Sequence, residues 1–273
     1  PNTDALNPQE GKYEGLVWIH EIGHALGLKH PPALDDNLPT SEDKTKWTVM
    51  SYNYSWSEFY LKFSPLDIAA LQYLYGPIPA SSPGDNTYWS KSTDANFIWD
   101  GAGTDTIHAL FATEKVTIYL EPGYWGFGGD AKAATITSNG QITVNFGTVI
   151  ENLIGSRYDD KLVGNSEDNS IDGWLGDDTI YGGAGNDKLD YTWRSGNDTL
   201  QGGKGNEQYY VNAQSGSDTM IELENEGTDA VHTRVSFSLA DLANVENLFS
   251  FSNTTDDLTL TGNSLPNYIR PSS

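Results

Sequence analysis

From Gly155 onward the chain places one apolar residue in every nine, at Leu162, Ile171, Ile180, Leu189, Leu200 and Met220. Each follows a stretch rich in Gly, Asp and Asn, as in Gly182-Gly183-Ala184-Gly185-Asn186-Asp187 ahead of Lys188 and Leu189. Glycine admits the left-handed conformations of a tight turn, and side chains alternate between faces along a strand. The pattern therefore predicts a turn of about six residues and a strand of about three in each repeat, with one side chain pointing inward. Stacked coils of this kind make a parallel β-roll with a thin core, running from Gly155 to about Ile221, with Tyr191 and Thr192 inserted in the register. Upstream, Val116-Thr117-Ile118-Tyr119-Leu120 and Ile142-Thr143-Val144-Asn145-Phe146 alternate as strands do. Residues 77–84 form a Pro/Ser-rich linker, and Pro65 to Tyr75 predicts a helix. Downstream, Asp241–Leu248 and Leu258–Asn263 look like the start of another solenoid run. The fold class is thus α+β, a helical segment followed by an all-β parallel roll.

Charge gives the repeat a chemistry. The chain carries 38 acidic and 15 basic residues, a net charge of -23, which argues against nucleic acid and anionic membranes as partners and suits cations. The sixth position of successive nonads holds Asp160, Asn169, Asp178, Asp187, Asp198, Glu207 and Asp218. Stacked carboxylates repel one another, whereas calcium takes six or more oxygens and can be shared between turns. There is no cysteine for a disulfide framework. No apolar run reaches the ~18 residues of a membrane span, and the first residues do not read as a signal peptide. The 273 residues suggest roughly two domains.

A second chemistry lies near the start. Residues His20-Glu21-Ile22-Gly23-His24-Ala25-Leu26-Gly27-Leu28-Lys29-His30 spell H-E-x-x-H-x-x-G-x-x-H. On a helix, His20 and His24 project from one face a turn apart and can chelate one ion. Glu21 is rotated about 100° from His20, which suits a general base better than a ligand. Gly27 lets the chain leave the helix in a left-handed conformation so that His30 supplies a third nitrogen. Three neutral ligands leave a position for water, the mark of a catalytic zinc rather than a structural one. Three of the five histidines stand here; His108 and His232 have no ligand spacing and read as strand or loop residues.

This helix, the turn Thr48-Val49-Met50-Ser51-Tyr52 and the run Pro65-Leu66-Asp67-Ile68-Ala69-Ala70-Leu71-Gln72-Tyr73-Leu74-Tyr75-Gly76 resemble the serralysin branch of the metzincin metallopeptidases, as does Pro31 after the third histidine. The nonapeptides resemble RTX repeats. The resemblance implies that Met50 floors the zinc and that Tyr52 is a switchable ligand that stabilises an oxyanion. Read alone, Met50 is a core methionine and Tyr52 a packing aromatic.

The resemblance also implies calcium ligands. In the roll, Ser156, Tyr158 and Asp160 pair with Gly173, Leu175 and Asp178, and Asn165, Glu167 and Asn169 pair with Gly182, Ala184 and Asp187. Trp174, Gly176 and Asp178 face Trp193, Ser195 and Asp198. Gly183, Gly185 and Asp187 face Gly202, Lys204 and Glu207, whose longer side chain weakens or displaces the ion; Asp218 continues the series. Between protease and roll, the implied ligands are Gly84, Asn86, Asp100, Ala102, Gly103, Asp105, Val149 and Glu151; the alternative is that Asp100 and Asp105 close turns.

The expected organisation is residues 1–76 as the C-terminal part of a metzincin catalytic domain, 77–230 as linker and calcium-binding roll, and 231–273 as the start of a further solenoid-like region. Both ends look cut relative to serralysins, which leaves Leu16, Val17, Ile19 and Ile22 as an apolar helix side to be covered by a sheet. The expected function is a monomeric secreted zinc metalloendopeptidase, exported without a signal peptide. It hydrolyses peptide bonds of proteins through a zinc-activated water, Glu21 acting as base and Tyr52 as oxyanion donor. The alternative is a calcium-binding RTX structural or adhesion module with an inactive protease remnant.

Overall fold

The computed structural model describes residues 12–31, 42–53, 63–76, 84–133, 135–192, 194–212, 216–251 and 258–271. The described chain is mostly β, a parallel solenoid preceded by two helices, α1 (Tyr13–Ala25) and α2 (Pro65–Tyr75). The second helix has the bounds its sequence predicts; Pro65 sits at its first turn, where a missing N–H costs nothing.

The two helices meet over the turn at Met50. Leu16, Leu28, Val49 and Met50 are buried together, with Ile19, Phe63, Ala70 and Leu71 packed against them. This corrects one expectation: Leu16 and Ile19 are covered by the chain's own turn and second helix. Val17 and Ile22, by contrast, stand exposed with Tyr13 and Trp18.

The solenoid is built on two large sheets whose inward side chains share one core. The first has nine strands, beginning at Thr87–Trp89 and closing at Tyr268–Arg270. The second has eight strands and ends at Thr219–Ile221, and a two-stranded sheet of Phe237–Ser238 and Leu260–Thr261 follows it. Strand partners fall in register at the inward position. Leu153, Ile171, Leu189 and Tyr209 follow one another strand by strand in one sheet, and Leu162, Ile180, Leu200 and Met220 do so in the other. All of these are buried, most of them completely.

The solenoid is longer than the nonapeptides alone predict, because Thr87–Trp89 and Thr106–His108 already belong to the first sheet. Val116–Tyr119 and Ile142–Val144 are strands as expected, but Trp125–Gly128 joins them in antiparallel pairing. The first sheet also runs unbroken through Ala230–Thr233, the point at which the sequence divides the roll from the region after it.

Candidate functional site

The first candidate site is built at the end of α1. Gly27 has φ +92°, and its N–H bonds the carbonyl of His24 at 3.0 Å while the Leu28 N–H bonds that of Gly23 at 2.9 Å. This left-handed helix end turns the chain back and carries His30 towards His20 and His24. The Tyr75 hydroxyl of α2 bonds the Leu26 carbonyl at 2.7 Å and holds the turn from outside.

The three imidazole rings have centroids 4.5–4.9 Å apart. Each ring is oriented by a backbone carbonyl on its Nδ1: Val49 for His20 at 2.7 Å, Leu28 for His24 at 3.0 Å, Met50 for His30 at 2.9 Å. Carbonyls only accept, so each Nδ1 carries a proton, and in the neutral ring each Nε2 presents a lone pair. The Nε2 atoms of His24 and His30 lie 3.0 Å apart, and when both rings are neutral neither has a proton there to give the other. That arrangement suits a cation between them. The Tyr52 hydroxyl reaches the His30 Nε2 at 2.8 Å, its ring stacked on the imidazole, although the side chain is 71% exposed. Glu21 is exposed beside His20, in a groove shared with Leu16, Val17, Ser51 and Tyr52.

Met50 is buried directly beneath the helix, and a Cβ on Gly23 would come within 2.6 Å of its sulfur. The turn that places Met50 is itself held by Asp67. One carboxylate oxygen accepts from the Thr48 hydroxyl at 2.6 Å, the other from the N–H groups of Val49 at 2.8 Å and Ser64 at 2.9 Å. Burial pushes the Asp67 carboxyl up from its ordinary value, and these bonds pull it back. Sequence reasoning misses Asp67, though the spacing Ser64-x-x-Asp67 before a helix is a capping signal.

The second candidate site is the stack of acidic turns. The N–H of four sixth-position residues bonds the sixth side chain of a later turn: Asp160 to Asp178 at 2.7 Å, Asn169 to Asp187 at 2.8 Å, Asp178 to Asp198 at 2.7 Å and Asp198 to Asp218 at 3.0 Å. The paired turns also touch through their backbones. Leu175 N–H reaches the Ser156 carbonyl at 3.4 Å, Ala184 the Asn165 carbonyl at 3.1 Å, and Gly176 the Ser195 carbonyl at 3.4 Å. Gly176, Gly183 and Gly185 have positive φ and lie against the backbone of Tyr158, Asn165 and Glu167, while Gly155 and Gly164 abut the carbonyls of Gly173 and Gly182. Trp193 lies outside the described residues.

Asp187 and Asp218 thus give one oxygen to the ladder and keep the other, a buried Oδ2, without a donor among the described residues, whereas both oxygens of Asp160 accept bonds from Ser156 and Val116. Burial pushes Asp160 and Asp198 up to about 6, Asp187 and Asp218 to about 7, and Asp178 to about 9, neighbouring carboxylates adding to the last. Buried, oxygen-only and anionic, this donor set fits calcium. Glu207 departs from the series: both of its oxygens lack a donor among the described residues.

Upstream, Asn86 N–H bonds Asp105 at 2.7 Å and Asp105 N–H bonds Glu151 at 2.7 Å, extending the same ladder. Ala102 N–H bonds Asp100 at 3.1 Å, and the Gly84 N–H bonds the Ala102 carbonyl at 2.6 Å, with Gly103 packed on the Gly84 backbone. Burial raises the Asp105 pKa, with Asp100 and Glu151 adding to it. Val149 is exposed, and its side chain is no oxygen ligand. His108 and His232 lie in strands and join neither site.

Residues 92–110, 154–189 and 194–220 match the RTX calcium-binding nonapeptide repeat, in four copies. The chain is 34% identical over 190 residues to serralysin C of Dickeya chrysanthemi, covering 59% of this chain and 38% of that protein. It is 33% identical over 186 residues to the serralysin of Proteus mirabilis, covering 56% and 36%. To metalloprotease AprA of Pseudomonas entomophila (strain L48) it is 33% identical over 192 residues, covering 57% and 37%. The chain is thus similar to serralysins over more than half its own length, and it carries RTX repeats. The chain spans well under half the length of these relatives. No described helix is long and apolar enough to cross a membrane.

Proposed function

We propose that this chain is part of a secreted zinc metalloendopeptidase, with residues 1–76 contributing the zinc-binding end of a metzincin catalytic domain and the roll stabilised by calcium. The observation that carries the reading is the convergence of three Nε2 lone pairs from His20, His24 and His30, each ring fixed through its Nδ1 by a backbone carbonyl. Three neutral imidazoles so oriented fit a zinc ion, which when bound supplies Lewis acidity towards water and a substrate carbonyl.

The chain's own residues do the rest. Glu21, beside the first ligand and open to solvent, accepts a proton from the attacking water and returns it to the leaving amine. Tyr52 holds its hydroxyl at the His30 Nε2 and, exposed on its other side, is free to swing away and donate to the developing oxyanion. Met50 and Asp67 touch no substrate; they set the turn on which the imidazoles rest.

Export follows the same chemistry. A roll whose carboxylates repel one another stays unfolded where calcium is scarce and folds where it is abundant, which suits passage through a secretion channel. The test is casein cleavage by the full-length protein carrying Glu21→Ala. We expect zinc to be retained and the rate to fall by at least ~10²-fold, the order that removal of a general base costs. Full activity in that variant would overturn the mechanism, and would leave the calcium-binding module as the better reading.

A further inference from the structure

The turn at Met50 is held from a second side, by a residue far along the chain. Glu42 is 5% exposed, and its Oε1 accepts from the Thr137 hydroxyl at 2.8 Å and from the Thr137 N–H at 3.3 Å. Thr137 is buried too, in the loop between strands Trp125–Gly128 and Ile142–Val144 of the second sheet. A buried carboxylate without a donor is costly, so this pair of bonds seats Glu42 on the solenoid. Further along the same segment Trp47 is buried, its ring 6.1 Å from that of Phe97 on the edge strand Asn96–Ile98. The neighbouring pair of Lys46 and Asp94, 3.9 Å apart, is solvent-exposed and adds little.

From Glu42 to the histidines the connection is short and bonded throughout. The Glu42 carbonyl accepts from the Lys44 N–H at 2.8 Å, and the Lys44 carbonyl from the N–H groups of Trp47 at 2.9 Å and Thr48 at 3.0 Å. Thr45 N–H bonds the Asn53 carbonyl at 3.1 Å, which closes the turn at its base. The Ser64 hydroxyl bonds the Thr45 carbonyl at 2.7 Å and ties that base to the start of α2. Next to Thr48 stand Val49 and Met50, whose carbonyls orient His20 and His30. Asp67 grips the turn at Thr48 and Val49; Glu42 grips it where it meets the solenoid.

We propose that Glu42 is a positioning residue for the zinc ligands: seated on Thr137, it sets the turn whose Val49 and Met50 carbonyls aim His20 and His30. The inference rests on the zinc reading given above, and makes the start of the solenoid part of what shapes that site. An imidazole is aimed by the group that holds its other nitrogen, so a carbonyl that moves takes the ring with it. Without its seat on Thr137 the base of the turn is released, and two of the three Nε2 atoms lose their common aim. Glu42 itself touches none of the histidines, and its effect is carried by the bonded segment between them.

The test is the zinc affinity of the folded, calcium-saturated full chain, by competition with a chromogenic chelator, read beside the absorption spectrum of the cobalt-substituted protein, which reports ligand geometry. Glu42→Ala should weaken zinc binding by about 2–30-fold, the range that changes along such a connection give. Its cobalt spectrum should shift while its β-sheet circular dichroism stays parental. Glu42→Gln keeps an acceptor oxygen for Thr137 and should restore the parental affinity and spectrum. Thr137→Val removes the hydroxyl from the other side and should also weaken zinc, and in the double variant the two losses should not add. Should Glu42→Ala not fold, Thr137→Val decides by the same two readouts. A contact that serves stability alone would lower the melting temperature and leave zinc affinity and cobalt spectrum parental, and that result overturns the proposal. No zinc in the parent overturns the zinc reading itself, and the proposal with it.

Discussion

Asp67 touches none of the three histidines, yet its carboxylate holds the turn whose carbonyls orient two of them. Replacing it with Asn converts an acceptor of three bonds into a group with one acceptor oxygen. Asp67→Asn should therefore weaken zinc binding by about 10–100-fold, the usual consequence of disturbing the groups behind a ligand. Zinc competition against a chromogenic chelator measures this, and parental affinity would remove Asp67 from the account. Gly23 is set by a neighbour rather than by its own backbone, since a Cβ would meet the Met50 sulfur. Gly23→Ala should cost about 1–3 kcal/mol of stability, as overpacking does, read from thermal unfolding of the helical segment. The histidines and Glu21 were legible because their spacing is local to one helix and its exit. Asp67 was less so, because its bonds reach back 18 and 19 residues to Val49 and Thr48.

The coil is the element that repeats, and its period made the strands legible in the sequence. Leu162, Ile171, Ile180, Leu189 and Leu200 all face the core as the ninefold pattern requires. Where coils lengthen, the pattern fails: the Glu207 N–H reaches Asp229 across a 22-residue return that no fixed period anticipates. The antiparallel strand Trp125–Gly128 escaped notice because two of its four residues are glycine, which blurs alternation. Protonation acts at this scale too. Burial raises Asp187 and Asp218 to about 7 and Asp178 to about 9, above the ordinary carboxyl range. The calcium-free folded coil thus binds more protons than the unfolded chain, and stability should be highest below about pH 4 and fall as pH rises through these values. Calcium replaces the protons, so binding should release protons and tighten as pH rises. Thermal melts in chelator and in calcium between about pH 5 and pH 9 check this; a chelated roll that grows more stable with pH would contradict it.

At the scale of the molecule, the proposed zinc site at the end of the first helix precedes, along the chain, a roll that carries the stacked carboxylates. The roll's thin core buries one side chain per turn, each contributing about 1.5–3 kcal/mol, against a backbone ordering cost of about 1–2 kcal/mol for every residue. Cation binding therefore belongs to the folding equilibrium. Chelation of the full chain should abolish most of its β-sheet circular dichroism, and calcium should restore it. A spectrum complete in chelator would show that the core suffices alone. The central claim is nevertheless the zinc, since the peptidase reading rests on His20, His24 and His30. The most direct measurement is the zinc content of the folded, calcium-loaded protein compared with its His24→Ala variant. The account predicts one zinc per chain in the parent and its loss in the variant; no zinc in the parent, or the same zinc in both, would contradict it.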